Sequence, residues 1–402
     1  MYCCIRSEKD FERRRNHFSK VSIKDKDKEM DKIFFAGPWI TEHEIKVVED
    51  MMRNGWYEHP FDYCEKFEKE FAAYHNRKYG LMTPSCTTAI HLLLTGMGIS
   101  DGDEVILPDC TWIATGAGIT YLRGIPVFCD IDPVHWCLDP ESVKKNITPK
   151  TKAIMAVGLF GNMPLMDELL QIANEHGLPL VEDAAEALGS TYKGVKAGKF
   201  GIASTFSFHR TKTITTGEGG MLLLDDDKLF ERCKFLRDHG RRTEVGMYYN
   251  YEVTYKYMPN NLSASLGYAQ FQRIEELLIN KRNQLRLYRE NLRNVDDIEI
   301  NPDPVEGIHG AWMPTIIIGK SYKMDKNDVI KKMADLEIPC RPFFYPLSSL
   351  PAYPGFRENY EKRNANCYDI SPRGVNLPCA GNLTEEQIIR VCDGIKKVLK
   401  RK

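Results

Sequence analysis

The sequence predicts an α/β protein. A large domain is built on a mixed, mostly parallel sheet of about seven strands, and a smaller α+β domain follows at the C-terminus. Two observations carry this. Short, near-continuous apolar runs alternate with helix-period segments from about residue 79 to residue 224, the pattern of strands buried on both faces by crossover helices. After Asn261 the alternation stops and a long helical stretch leads into a differently patterned C-terminal part.

Taken in order, residues 1–32 read as a polar extension or leader outside the core, because Ser22–Lys32 alternates charges and has little to bury; a short solvated helix is the plainer alternative. Helical periodicity runs through Thr41–Asn54 and Phe61–His75, with Thr41 and Glu44 spaced as a capping box. The strand candidates are Tyr79–Met82, Glu104–Pro108, Pro126–Ile131, Lys152–Val157, Pro179–Glu182, Ala203–Phe208 and Gly220–Leu224, with helices near Thr87–Met97, Ile113–Leu122 and Met166–His176. A long helical stretch with few breakers is expected over Leu262–Asn294, then a strand at Ala311–Ile318 and helices at Lys326–Leu336 and Thr384–Leu399. The expected division is a large domain over 33–275 and a small one over 276–402, with 33–55 packing on the latter.

Composition excludes several classes. The 402 residues carry 55 Lys+Arg against 56 Asp+Glu, a net charge of −1, so there is no basic footprint for nucleic acid. No apolar run approaches the ~20 residues that span a bilayer, so no membrane partner is expected. Twelve cysteines without a Cys-x-x-Cys pair read as buried thiols of a cytoplasmic chain, not as a disulfide or zinc framework.

Ligands of open α/β sheets sit beyond the carboxyl ends of the strands, and four such places stand out. Thr83–His91 puts small hydroxyl residues where a strand opens into a helix, a phosphate cradle or simply a cap cluster. Trp112, in Pro108–Thr115, is a flat surface for a ring or a core aromatic. Asp183, in Val181–Leu188, follows an apolar strand; it is costly to bury without a partner and suits a protonated ring nitrogen, or caps the next segment. Lys212, in the Ser207–Gly220 loop, is an amine among Thr and Gly, usable for a Schiff base and for carrying protons. A phosphate cradle, a stacking ring, a carboxylate and an amine together suit pyridoxal 5′-phosphate (PLP).

These segments, Ser85–His91, Glu182–Gly189 and Lys212–Gly220, with Leu236–Arg241 and Arg341–Leu347, resemble the DegT/StrS-type sugar aminotransferases of the fold-type I, aspartate-aminotransferase-like superfamily. The match runs from Ile33 to the C-terminus. The resemblance implies that Lys212 is the cofactor-linked lysine, that Asp183 faces the pyridine nitrogen and that Glu186 lies near the ring's phenolic oxygen. It implies that Trp112 stacks on the ring, and that Cys86, Thr87 and Ser207 contact the phosphate. Lys256 would complete the phosphate site of a neighbouring subunit, which implies a homodimer with two shared sites. His209 and Arg210 are the substrate-side candidates, and Arg210 departs from the family's usual small residues. Met258–Pro259 is a second departure.

The resemblance further implies L-glutamate as donor and a keto-sugar acceptor. The blocks look most like perosamine-synthase-type enzymes, which aminate nucleotide-linked 4-keto-6-deoxy sugars for surface polysaccharides. A smaller phosphorylated ketone is the alternative acceptor, since Arg210 could bind a phosphate. A PLP-dependent sugar dehydratase is the alternative reaction, but such relatives carry His where this chain has Lys212.

Overall fold

The computed structural model describes residues 32–242, 244–354 and 357–400. The extension read at 1–32 therefore lies, but for Lys32, outside the described residues. The central sheet has seven strands: β1 (Tyr79–Thr83), β2 (Glu104–Pro108), β3 (Ile125–Cys129), β4 (Thr151–Val157), β5 (Leu180–Asp183), β8 (Ala203–Ser207) and β9 (Gly220–Leu224). The short strands β6 (Thr191–Tyr192) and β7 (Val195–Lys196) form a separate hairpin. The order across the sheet is β1-β9-β8-β5-β4-β2-β3, and only β9 runs against the rest.

Period-two alternation splits the sheet's side chains between two buried layers. Met221 and Leu223 of β9 and Ile154 of β4 face one core, whereas Leu222, Leu224 and Met155 face the other. Before the sheet come helices α1 (Glu42–Asn54) and α2 (Asp62–Tyr74). Within it lie α3 (Cys86–Gly96), α4 (Ala114–Tyr121), α5 (Pro140–Asn146) and α6 (Met166–Glu175), and α7 (Asp227–Arg237) follows β9. Phe67 and Phe71 of α2 and Leu169 of α6 fill the first layer; Ile90 and Leu93 of α3, Ile119 of α4 and Leu236 of α7 fill the second.

The long helical stretch expected over Leu262–Asn294 is broken once, into α8 (Asn261–Phe271) and α9 (Ile274–Leu292). The break has a physical reason. Arg273 leaves helical geometry (φ −109°, ψ 18°) and clamps α1: its guanidinium donates to Glu44 (2.6 Å), to Thr41 Oγ1 (3.1 Å) and to Glu276. Glu44 also completes the Thr41 capping box that its spacing predicted.

Beyond α9, strands β10 (Ile298–Ile300), β11 (Thr315–Ile318), β12 (Arg341–Pro342) and β13 (Gly374–Asn376) form an antiparallel sheet in the order β10-β11-β13-β12. Helices α10 (Lys326–Ala334), α11 (Arg357–Arg363), α12 (Ala365–Ile370) and α13 (Glu385–Val398) complete the chain. Val329 of α10, Val391 of α13, Tyr288 of α9 and the N-terminal Ile33 share the core of this part. The strand expected to begin at Ala311 begins at Thr315, because Ala311 takes a left-handed conformation (φ 55°) and Pro314 precedes the ladder.

One seam ties the two parts. Four consecutive carbonyls are each met by a different side chain of α9. Pro378 O accepts from Tyr288 (2.9 Å), Cys379 O from Lys281, Ala380 O from Gln284 (2.9 Å) and Gly381 O from Asn280 (2.8 Å). On its other edge the same segment donates from Cys379 N to Phe35 O (2.6 Å) and from Gly381 N to Gly37 O (2.9 Å). Among the described residues nine cysteines are buried, Cys340 is intermediate and all are free thiols; no helix there is long and apolar enough to cross a membrane.

Candidate active site

The carboxyl ends of the parallel strands converge on one cavity of about 340 Å³. Cys86, Thr87, Trp112, Asp183, Glu186, Ser207, His209 and Lys212 all line it. These residues span more than a hundred positions of sequence and meet because each follows, or ends, a strand of the same sheet.

Asp183 ends β5 and is 4% exposed. Its carboxylate accepts from Thr115 Oγ1 (2.8 Å) and from Ala185 N (3.2 Å). Burial pushes its pKa up, and those two donors and Lys212 only partly offset that. A further cationic donor in the cavity would therefore relieve a cost built into the fold.

Lys212 sits in the loop between β8 and β9. Its Nζ lies 3.3 Å from Glu186 Oε1 and 3.5 Å from the centroid of the Trp312 ring. Glu186 is held in turn by Phe160 N, which donates to its Oε2 (3.0 Å). Burial raises the Glu186 pKa; the charge of Lys212 and the Phe160 amide act against it. Trp312 is fixed by its indole N–H, which donates to Thr211 O (2.9 Å), and by Phe160 stacked on it.

The cradle is the N-terminus of α3. Ser85 caps it: its hydroxyl accepts from Thr88 N (3.1 Å), and Thr88 Oγ1 accepts from Ser85 N. The first-turn N–H groups of Cys86 and Thr87 have no carbonyl to meet within the helix, so they are available to an anion. Gly220, which opens β9, makes the approach close: a Cβ there would lie 2.5 Å from Cys86 N. Ser207 faces the same space from the end of β8.

Trp112 is 58% exposed at the rim, tilted against Phe344. Arg210 and Lys256 do not line the cavity of their own chain, and Lys256 pairs with Asp238 (2.7 Å). The structure adds three groups that the sequence reading gave no role: Thr115 on the carboxylate, Phe160 N on Glu186, and Trp312 under the amine. Of these, Thr115 was within reach of a pattern, since it opens the helix that Trp112 introduces. Trp312 was not, because nothing local ties residue 312 to residue 212.

An amine, a buried carboxylate short of cationic partners, a ring-sized rim aromatic and a first-turn anion cradle fit PLP as a donor set. Asp183 would hold the ring nitrogen, Trp112 the ring face, Cys86, Thr87 and Ser207 the phosphate, and Lys212 the aldehyde carbon. Among the described residues no cluster of His, Cys, Asp and Glu could hold a metal ion.

Comparison with known proteins agrees with this chemistry. The DegT/DnrJ/EryC1/StrS aminotransferase family model matches residues 38–396. GDP-perosamine synthase of Escherichia coli O157:H7 is 34% identical over 360 residues, 90% of this chain and 96% of that protein. The GDP-perosamine synthase of Caulobacter vibrioides is 36% identical over 372 residues, 92% of this chain and 99% of that one. Among solved structures, Spr1654 of Streptococcus pneumoniae in its PLP form superimposes with a TM-score of 0.85 at 26% identity, covering 92% of this chain and 99% of that one. The chain belongs to the DegT/DnrJ/EryC1/StrS aminotransferase family and is a PLP-dependent aminotransferase.

Proposed function

We propose that the enzyme moves the amino group of L-glutamate to a nucleotide-linked 4-keto-6-deoxy sugar, for surface-polysaccharide synthesis in the cytoplasm. The observation that carries the reaction type is Lys212 Nζ, poised between Glu186 and Trp312 in the cavity that Asp183 floors. The acceptor is carried by the two GDP-perosamine synthases and by the spore coat polysaccharide biosynthesis protein SpsC of Bacillus subtilis, 30% identical over 96% of this chain.

Each residue has a defined task. Bound PLP supplies an electron sink for the carbon next to the transferred nitrogen. Asp183, buried and short of cationic partners, would hold a proton on the ring nitrogen. Lys212 Nζ would take up and return the proton of the substrate carbon, and Glu186 keeps that amine within the cavity. Trp112, at the rim of the cavity, would offer its face to the ring.

We further propose a homodimer. Lys256 lies on a segment rich in exposed apolar side chains (Met247, Tyr248, Tyr249, Tyr251 and Val253), and in a dimer it would reach the phosphate of the partner's site. Incubation with L-glutamate alone should release 2-oxoglutarate and bleach the cofactor's visible band. A panel of nucleotide-linked 4-keto sugars added next should yield amino sugars of matching mass and restore the band. Amination of small keto-phosphates only would replace the proposed acceptor, and sugar dehydration without 2-oxoglutarate would replace the reaction.

A further inference from the structure

Trp312 reaches the amine of Lys212 from a turn between β10 and β11, and that turn has its own fastening. Ala311 is left-handed there (φ 55°), a conformation that a residue with a Cβ rarely adopts. His309, 6% exposed, holds it: the ring Nδ1 accepts from Ala311 N (2.8 Å). Since an N–H donates to it, Nδ1 is the unprotonated nitrogen of a neutral ring. Burial, and after it the charge of Arg289, lower the His309 pKa to about 3, which keeps that acceptor available at neutral pH. The other ring nitrogen, Nε2, has no hydrogen-bond partner among the described residues. Holding Ala311 N is thus the polar contact that orients the ring.

Two adjacent residues of the β4–α6 loop back this turn and also hold Glu186. Gly161 O accepts from Gly310 N (3.0 Å) and from Ser190 Oγ (2.8 Å). The approach is close enough that a Cβ on Gly161 would lie 2.6 Å from Ala311 N. Phe160 N donates to Glu186 Oε2 (3.0 Å), while its ring stacks on Trp312. The result is a berth with two walls. Lys212 Nζ lies 3.5 Å from the Trp312 ring centroid and 3.3 Å from Glu186 Oε1. One wall is a carboxylate and the other is an indole face, the best aromatic surface for a cation. Both attract an ammonium. Lys212 has a free amine only in the half of the cycle in which the cofactor carries the donor's nitrogen.

We propose that His309 is a positioning residue: through the left-handed turn it aims the Trp312 face at Lys212, and that face with Glu186 is the berth of the lysine amine while the cofactor is in its amino form. The berth keeps the freed amine in the cavity and tips the half-reaction toward that form. In the half-reaction the donor's nitrogen stays on the cofactor, the departing keto acid takes its oxygen from one water, and the Lys212 nitrogen is released. The inference rests on transamination at Lys212, not on the identity of the donor or the acceptor.

The test uses the full-length holoenzyme equilibrated with mixtures of L-glutamate and 2-oxoglutarate at one pH. The visible band then gives the ratio of aldehyde to amino cofactor. Trp312→Leu should shift that ratio toward the aldehyde form at least about threefold, the loss of a desolvated cation–π contact. Trp312→Phe should shift it less. His309→Phe fills the buried site but offers no acceptor, and should shift the ratio in the same direction. His309→Asn, whose side-chain oxygen can accept from the amide two residues on, should restore most of the wild-type ratio. The double variant His309→Phe/Trp312→Leu should go no further than Trp312→Leu alone, because His309 acts through the ring. A slower half-reaction with an unchanged ratio in Trp312→Leu overturns the berth. A double-variant shift equal to the product of the two single shifts overturns the role of His309, as does folded His309→Asn shifted as far as Trp312→Leu. If L-glutamate leaves the wild-type band unchanged, the proposed donor is wrong but the berth is still decided: the ratio is read as the relative retention of PLP and pyridoxamine 5′-phosphate by the cofactor-free full-length chain, with the same shifts expected.

Discussion

The floor and the mouth of the active site are built on opposite principles. At the floor every charged group has a partner within the chain. Asp183 has Thr115 and Ala185 N, Glu186 has Phe160 N and Lys212, and Lys212 has Glu186 and the Trp312 face. At the mouth the Arg341 guanidinium has no ion pair or hydrogen bond among the described residues, and Trp112 is more than half exposed. The contrast teaches that one chain is enough to pre-set the proton chemistry, whereas the recognition groups are left for whatever binds to complete. Preorganised polar groups in a dry site are the larger source of rate, so variants at the floor should outweigh those at the mouth.

The largest effect is expected at Lys212. Lys212→Ala should lower 2-oxoglutarate release by roughly 10²- to 10⁴-fold or more while the protein stays folded, as circular dichroism would report. Turnover near the wild-type rate would break the comparison at its root. Asp183→Asn comes next. It keeps a side chain for Thr115 to meet but cannot hold the ring nitrogen protonated, so kcat should fall on the order of 10²- to 10³-fold. Its melting temperature should be no lower than that of the wild type, because burial raises the Asp183 pKa and the charge is a cost to the fold. A large loss of stability would mean that Asp183 is a structural residue.

Glu182 sharpens the contrast from behind the floor. It neighbours Asp183 on β5 but faces the other side, where Phe200 N donates to it (3.2 Å). Burial, opposed by the Gly198 amide and Arg77, carries its pKa from 4.5 to about 7. A carboxyl with a raised folded-state pKa adds stability that is full below pH 4.5 and is lost as the pH climbs through 7. Glu182→Gln should remove that slope, by up to a few kcal/mol across the window, in urea titrations from pH 4 to pH 8. A variant curve parallel to the wild type would show that Glu182 stays charged. The smallest effect is expected outside the cavity: Lys256→Ala should weaken cofactor retention during dialysis by no more than about fivefold, as suits an exposed pair. A loss as large as that at Asp183 would make the second subunit part of the floor.

How much of this could be read from the chain follows the same divide. Asp183 and Lys212 were legible because each is placed by its own strand end. The apolar run before Asp183 and the Thr- and Gly-rich loop around Lys212 are local signals. The seven strands of the sheet were legible for the same reason, down to a residue or two at their ends. Trp312 was not legible, since it reaches Lys212 through a left-handed Ala311 and a hydrogen bond to Thr211, a contact between segments a hundred residues apart. The break at Arg273 was hidden as well. Nothing around it is a helix breaker, and the turn is held by Glu44 and Thr41 of a distant helix. Arg341 was visible only as part of a motif, because its place in the lining of the cavity joins segments more than a hundred residues apart.

The seam at residues 378–381 has a consequence for how this chain can vary. Because four successive peptide oxygens are matched one-to-one with Tyr288, Lys281, Gln284 and Asn280, the register there has no slack. A one-residue insertion or deletion would misalign the whole row at once and strand a lysine ammonium in apolar surroundings. Length, more than identity, is the quantity this stretch cannot change, so loop grafts and fusion points belong elsewhere.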